Sequence, residues 1–242
     1  MAHRCIHVHL NNKTNMKKSL LLTACCISTA SAATISVNLT EGNANQQMAT
    51  TTTAGIDVQS NWNNTSGANG TAGSLTDSTG AVTGASVTWS SAGTWGDGEA
   101  NTDANNGVGN AQVARGYLDD GNGGSGVDFT VSGITYATYT AHIYFATDTN
   151  GGTYRAFDVN GTSQSTTGTK NRYGTQPNWD ATNSITVTGL TGNLVLDGLA
   201  RDGANRGSVA GFQIVDTTPI PEPSSTALLG LGGLALILRR RK

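Results

Sequence analysis

The stretch Thr138-Tyr139-Thr140-Ala141-His142-Ile143-Tyr144-Phe145-Ala146 alternates between two kinds of side chain. Because successive side chains of a β-strand point to opposite faces, the alternation predicts a strand. One face is expected to meet a core, and it carries Tyr139, Ala141, Ile143 and Phe145. The other face carries Thr140, His142 and Tyr144. A second run, Thr153–Val159, follows Asn150-Gly151, and this dipeptide predicts a hairpin between the two runs.

Further candidate strands are short and lie between segments rich in Gly and Asn. They are Ala33–Leu39, Gly55–Val58, Ser86–Ser90, Gln112–Leu118, Val127–Val131, Ser184–Thr188, Asn193–Asp197 and Val209–Val215. The chain has 32 glycines among 242 residues, which suits short strands joined by turns. No stretch between residues 33 and 218 has a helical stripe. The predicted fold class is all-β, a single β-sandwich of jelly-roll type over residues 33–218, here called the body.

The charge is distributed unevenly along the chain. Its net value is −2, but the body carries fifteen acidic against six basic residues, a net −9. Nucleic acid requires a basic surface, so the acidic body excludes it as a partner. The three cysteines, Cys5, Cys25 and Cys26, precede residue 33, so the body contains no disulfide.

Residues 1–32 have the three parts of a secretory signal peptide. Met16-Lys17-Lys18 is positively charged, Ser19–Ile27 is apolar, and Ala30-Ser31-Ala32 is a small-residue cleavage motif. Cleavage is expected after Ala32, and Met16 is a candidate for the true start. As an alternative, Leu22-Thr23-Ala24-Cys25 resembles a lipoprotein box in which Cys25 would be lipidated.

Residues 219–242 form a distinct tail. Pro221-Glu222-Pro223 is followed by residues 224–238, which carry no charge, and then by Arg239, Arg240, Arg241 and Lys242. As a single helix, residues 224–238 would reach about 22 Å, against a bilayer core of about 30 Å. The long side chains of the basic residues can extend toward the membrane surface and so help the short helix to span the bilayer. The positive cluster should stay cytoplasmic, which places the body outside the inner membrane. The alternative is an apolar helix packed on a soluble domain.

This order of elements resembles the PEP-CTERM sorting signal. The resemblance covers Pro221–Lys242 and includes every element. It implies that exosortase, a membrane enzyme of Gram-negative bacteria that make exopolysaccharide, processes the tail near Pro221, Glu222 and Pro223. The protein would then be a membrane-anchored precursor that ends at the cell surface or in the extracellular matrix.

The body is similar, less specifically, to the galactose-binding-like sandwich domains often joined to such tails. The similar stretches are Gly116–Gly121, Val131–Tyr136, Asp158–Gly161 and Gly211–Val215. The resemblance implies a sandwich fold but assigns no ligand residue.

Catalytic motifs are missing from the body. His142 is its one histidine, and the expected place for it is the surface or a sheet edge. Gly-x-Ser-x-Gly and Walker sequences do not occur. The sequence therefore predicts no enzyme, although a glycoside hydrolase needs only two carboxylates and remains an alternative.

A calcium site is a candidate in Asp97–Asn105. Asp97, Glu99, Asn101 and Asp103 place oxygen ligands at every second residue, and Ca²⁺ takes six to eight such ligands. Thr102 and Val108 depart from the EF-hand pattern. A solvated polar loop is the alternative.

Aromatic residues in Asn-rich and Gly-rich loops indicate carbohydrate binding, since sugar rings stack on Trp and Tyr. The candidates are Trp95, Trp179 and Tyr173. The alternative is that these rings cap the ends of the sandwich. The predicted role is binding of polysaccharide or matrix; a structural matrix or adhesin subunit without a small-ligand site is the rival.

Overall fold

The computed structural model describes residues 32–96, 109–119, 126–146, 152–168, 179–199 and 208–218, with only the backbone at 152–156, 165–168 and 198–199. The strands in this part are β1 (Thr34–Asn38), β2 (Asn63–Asn64), β3 (Asn69–Ala72), β4 (Ser86–Ser90), β5 (Gly93–Gly96), β6 (Gly116–Asp119), β7 (Val127–Ser132), β8 (Tyr139–Phe145), β9 (Gly152–Val159), β10 (Thr162–Gly168), β11 (Ser184–Leu190), β12 (Leu194–Leu199) and β13 (Val209–Asp216). A 3₁₀ turn covers Ala44–Gln46, and helix α1 covers Asn110–Val113. The all-β prediction is confirmed for the described residues.

The strands form two sheets, and the antiparallel pairs within the sheets are nested along the chain. β1 pairs with β13, β7 with β12, β8 with β11, and β9 with β10. Two further antiparallel pairs, β13 with β8 and β12 with β9, order the first sheet as β11-β8-β13-β1 and the second as β10-β9-β12-β7. β2, β5 and β6 extend the first sheet, and β4 and β3 extend the second.

The main core lies between the sheets, as the alternation in residues 138–146 predicts. Tyr139, Ala141, Ile143 and Phe145 are fully buried and belong to this core. Phe129 of the second sheet stacks on Phe212 of the first, with ring centroids 4.7 Å apart. Burying one such ring contributes roughly 1.5–3 kcal/mol. The two faces of β8 are therefore divided as the sequence predicts.

The predicted hairpin at Asn150-Gly151 is wrong. β8 lies in the first sheet and β9 in the second, so the chain crosses between sheets at this point. The tight hairpin joins β9 to β10 instead, through Asn160-Gly161. Asn160 and Gly161 both have positive φ, +50° and +76°, as a two-residue hairpin turn requires.

Two other strand predictions also need correction. Residues 55–58 form a turn closed by a bridge between Ala54 and Gln59, because polar side chains bind the main chain there in place of a neighbouring strand. In Gln112–Leu118, only the second half is a strand, since α1 runs through Val113. No helix in the described ranges has the length and apolar character to cross a membrane. The predicted membrane helix at 224–238 and the signal peptide lie outside those ranges.

Candidate functional site

The outer face of the first sheet is covered by a buried polar layer. Gln213 of β13 is at its centre. Its Nε2 donates to Ser36 Oγ (3.0 Å) and to Asp57 O (2.7 Å), while its Oε1 accepts from the Tyr144 hydroxyl. Tyr144 Oη in turn accepts from the N–H of Ile56 at 2.8 Å. These bonds fix the 55–58 turn against the sheet.

Aromatic side chains form a second cluster beside this layer. Its fully or nearly buried members include Trp62, Tyr117 and Tyr144, and Trp95 and Trp179 pack on it while partly buried. Trp62, which stands among asparagines in the sequence, is only 4% exposed. The structure thus brings the two predicted carbohydrate-binding tryptophans onto one cluster.

Trp179 lies between the aromatic cluster and a cavity. Its ring lies 4.6 Å from that of Tyr144, tilted by 42°, so one part of the indole is held by the cluster. It also lines a cavity of about 300 Å³, here called the Trp179 cavity. The other lining residues are Ile56, Asp180, Ala181, Ser184, Ile185 and Thr186. The volume is at the lower end of the range for small-molecule sites.

Polar groups are placed on one side of the Trp179 cavity by a short turn. Asp180 Oδ1 accepts from the N–H of Thr182 (2.8 Å) and from its hydroxyl (2.6 Å). These bonds lower the pKa of the exposed Asp180 carboxyl, so it is ionised at neutral pH. The Ser184 hydroxyl donates to Asp180 O at 2.8 Å, which joins the turn to the start of β11.

His142 lies behind the cavity and not at the surface, so its predicted position is wrong. It is 8% exposed, and its Nδ1 is 2.8 Å from Oγ1 of Thr186, a cavity residue. Burial lowers the pKa of His142, partly offset by the carboxylate of Asp57. The imidazole is therefore neutral at pH 7 and positions Thr186.

Trp95 occupies a different environment. It lies in β5 opposite Tyr117 of β6, and the two rings stack with centroids 5.5 Å apart and planes at 23°. One face of this indole is thus already used in packing. A sugar could contact only the part of the Trp95 ring that stays exposed.

The remaining predicted site residues lie outside the described ranges. These are Tyr173, the predicted calcium ligands Asp97, Glu99, Asn101 and Asp103, and the tail residues Pro221, Glu222, Pro223, Arg239, Arg240 and Arg241. Among the described residues, no group of three or more His, Cys, Asp or Glu side chains could hold a metal ion. The calcium site stays a prediction.

Sequence reasoning missed most residues of the Trp179 cavity. The segments that supply Ile56 and Ser184, Ile185 and Thr186 are both predicted as strands, and no binding role is predicted for either. The spacing Asp180-x-Thr182 was the available signal, since Asp side chains commonly bind the main chain two residues on.

Comparison with known families supports the predicted sorting signal in the tail and finds no family for the body. Residues 219–242 match the PEP-CTERM protein-sorting motif. No curated protein and no solved structure matches the chain. The protein therefore belongs to the class of two-sheet β proteins that carry a C-terminal sorting signal. Its residues 219–242 carry the PEP-CTERM protein-sorting motif, and this motif implies export and processing by exosortase.

Proposed function

We propose that this protein is displayed at the cell surface or in the extracellular matrix of a Gram-negative bacterium and binds carbohydrate at the Trp179 cavity. The precursor enters the export path by its signal peptide, residues 1–32. A membrane helix at about 224–238 then anchors it in the inner membrane until exosortase acts. The body is a binding module and not an enzyme.

The nested strand pairs support a jelly roll for the body. Winding a long antiparallel ribbon of eight strands pairs the first with the last, the second with the seventh, and so on inward. With β1, β7, β8, β9, β10, β11, β12 and β13 as the eight, the pairs follow this order. Jelly rolls occur in lectin domains, which agrees with a binding role but assigns no ligand.

The Trp179 cavity is the observation that carries the proposal. An indole supplies an apolar face for the C–H groups of a sugar ring, and hydroxyl and carboxylate groups beside it can bind sugar hydroxyls. Trp179, Asp180 and Thr186 offer this combination around one cavity. Because Trp179 is held by Tyr144, its ring is preorganised and little side-chain entropy is lost on binding.

The position of the cavity suits a displayed protein. Ser184 at the start of β11 is opposite Tyr144, whereas the tail follows Asp216, which is opposite Tyr139. Thr186, which also lines the cavity, is opposite His142, so three to five residue steps of β8 separate the cavity residues of β11 from the level of Tyr139, about 10–17 Å. The cavity therefore lies away from the point where the tail leaves the body.

A glycan array with the purified body, followed by titration calorimetry on the best ligand, tests the proposal. Trp179→Ala should weaken binding at least tenfold, about 1.4 kcal/mol. Trp179→Phe should retain more affinity, and Trp95→Ala serves as the matched control because its ring lies on Tyr117. Melting curves show whether each variant is folded. Unchanged affinity in Trp179→Ala would contradict the assignment.

The rival function is a structural matrix or adhesin subunit, and an array without any bound glycan would favour it. A carboxylate-based glycoside hydrolase has less support. It needs two carboxylates across the bond to be cut, and Asp180 is the one carboxylate among the described residues that line the cavity.

A further inference from the structure

Hydrogen bonds hold the end of the body to the rest of the sandwich as far as Thr218, the residue before the sorting motif. The N–H of Thr217 donates to Thr138 O (3.0 Å), and Oγ1 of Thr218 accepts from the N–H of Ala137 (3.0 Å). The N–H of Thr218 also donates to Asp216 Oδ1 at 2.8 Å. The matched motif begins at residue 219. No free linker therefore separates the folded body from the motif.

The first residues of the body lie beside the last ones. The N–H of Asp216 donates to Ala33 O (2.9 Å), and Thr34 is opposite Val215 in the β1–β13 pair. The N–H of Ser78 donates to Thr34 O at 2.7 Å and adds the 77–81 turn to the same region. The region formed by residues 33–34, 77–81, 136–138 and 216–218 is called the tail end.

Covalent geometry limits how far the sorting motif can lie from the tail end. Pro221 is three Cα steps from Thr218, so their Cα atoms are at most about 11 Å apart in any conformation. β13 lies between β1 and β8, and a second sheet packs at about 10 Å. The body therefore extends along both edges of the strand from which the tail leaves and on the side of the second sheet. An enzyme that holds Pro221-Glu222-Pro223 in its active site therefore comes within about 11 Å of Thr218 and is expected to contact the tail end.

We propose that the tail end is a contact surface for the membrane enzyme that processes the sorting motif of the folded precursor. Its side chains include the carboxylates of Asp77 and Asp216 and no Lys or Arg, and with the α-amino group of Ala33 after signal cleavage the region carries a net charge of about −1, so it fits a neutral or weakly basic surface on the enzyme. The proposal rests on the sorting motif and is independent of carbohydrate binding.

Site-specific photo-crosslinking in the full-length precursor tests this contact. Ala137 and Ala81 are exposed positions at the tail end, and each is replaced in turn by a photoreactive amino acid. Ala92 is the matched control, because it is an exposed alanine that lies away from the tail end. β4 begins near the tail end at Ser86, which is opposite Ser132, and runs away from it to Ser90, just before Ala92. The host carries an inactive exosortase that holds the precursor.

Crosslinks to the enzyme are expected from Ala137 and Ala81 and not from Ala92. A spacer of about ten Gly and Ser residues between Thr218 and Pro219, which adds up to about 35 Å, should abolish them. The proposal is overturned if active enzyme processes the variants but neither position crosslinks. Crosslinks of equal yield from Ala92, or crosslinks that persist with the spacer, would overturn it as well.

Discussion

Gly55 lies directly against the side-chain amide of Gln213. A Cβ atom built on Gly55 would be 2.1 Å from Gln213 Oε1, and the backbone of Gly55 has a φ of +99°. Gln213 cannot move aside easily, because its amide binds Ser36 Oγ and the main chain of Asp57. This contact joins the 55–58 turn to the polar layer on which the Trp179 cavity is built.

Gly55→Ala should therefore lower the free energy of unfolding by about 2–4 kcal/mol, from backbone strain and steric overlap together. Two glycines separate these causes. Gly192 has a φ of +69° and open space, so Gly192→Ala should cost about 1–2 kcal/mol from strain alone. Gly73 has open space without a positive φ, and Gly73→Ala should change stability by less than about 0.5 kcal/mol. Urea denaturation measures all three, and equal costs at Gly55 and Gly192 would contradict the overlap with Gln213.

Asn63 should be a strong stabilising residue although it is only partly buried. Its Nδ2 donates to Ser36 O (2.9 Å) and Thr76 O (2.8 Å), and its Oδ1 accepts from the N–H and hydroxyl of Thr76. Asn63→Ala leaves these groups without partners and should cost about 2–3 kcal/mol. Asn69→Ala, at an exposed residue of β3, is the control and should cost less than about 0.5 kcal/mol. Equal urea midpoints for the two variants would show that the Asn63 bonds do not stabilise the fold.

His142 should make the body less stable in mild acid. Above its ordinary pKa of 6.5, the imidazole is neutral in the folded and unfolded states and adds no pH dependence. Because burial lowers the folded-state pKa, only the unfolded chain binds the proton as the pH falls below 6.5. The free energy of unfolding then decreases until the pH reaches the folded-state pKa.

Denaturation at about pH 7.5 and pH 5.5 measures this decrease, with His142→Gln as the comparison because glutamine does not titrate. The variant should lose less stability between the two pH values than the unchanged protein. The assigned role of His142 is wrong if both lose the same amount.

The two halves of the tail should have separable roles. Replacing Arg239, Arg240 and Arg241 by Ser should weaken retention in the membrane and reduce processing, because the positive cluster stops transfer. Glu222→Ala should leave insertion intact and block processing alone. Pulse-labelling in a host with exosortase distinguishes the two outcomes. If the unchanged protein keeps its whole tail there, the tail is a simple anchor.

The sequence alone determined the features that depend on neighbouring residues. Alternation in residues 138–146 gave the two faces of β8, because side-chain direction in a strand follows from covalent geometry. The order of Pro221-Glu222-Pro223, an uncharged run and four basic residues gave the sorting tail, because its recognition depends on a linear segment. Abundant Gly, Asn and Thr indicated short strands and turns.

Tertiary structure decided which faces are covered and by what. Local pattern cannot tell Asn150-Gly151 from Asn160-Gly161, and only the pairing of β9 with β10 and β12 shows which dipeptide turns a hairpin. His142 and Tyr144 share the polar face of β8, yet both are buried there by the 55–58 turn and residues 179–186. Likewise, the Trp179 cavity joins Ile56 to residues more than a hundred positions later. Such contacts follow from the free energy of packing the whole chain, to which one segment contributes only a part.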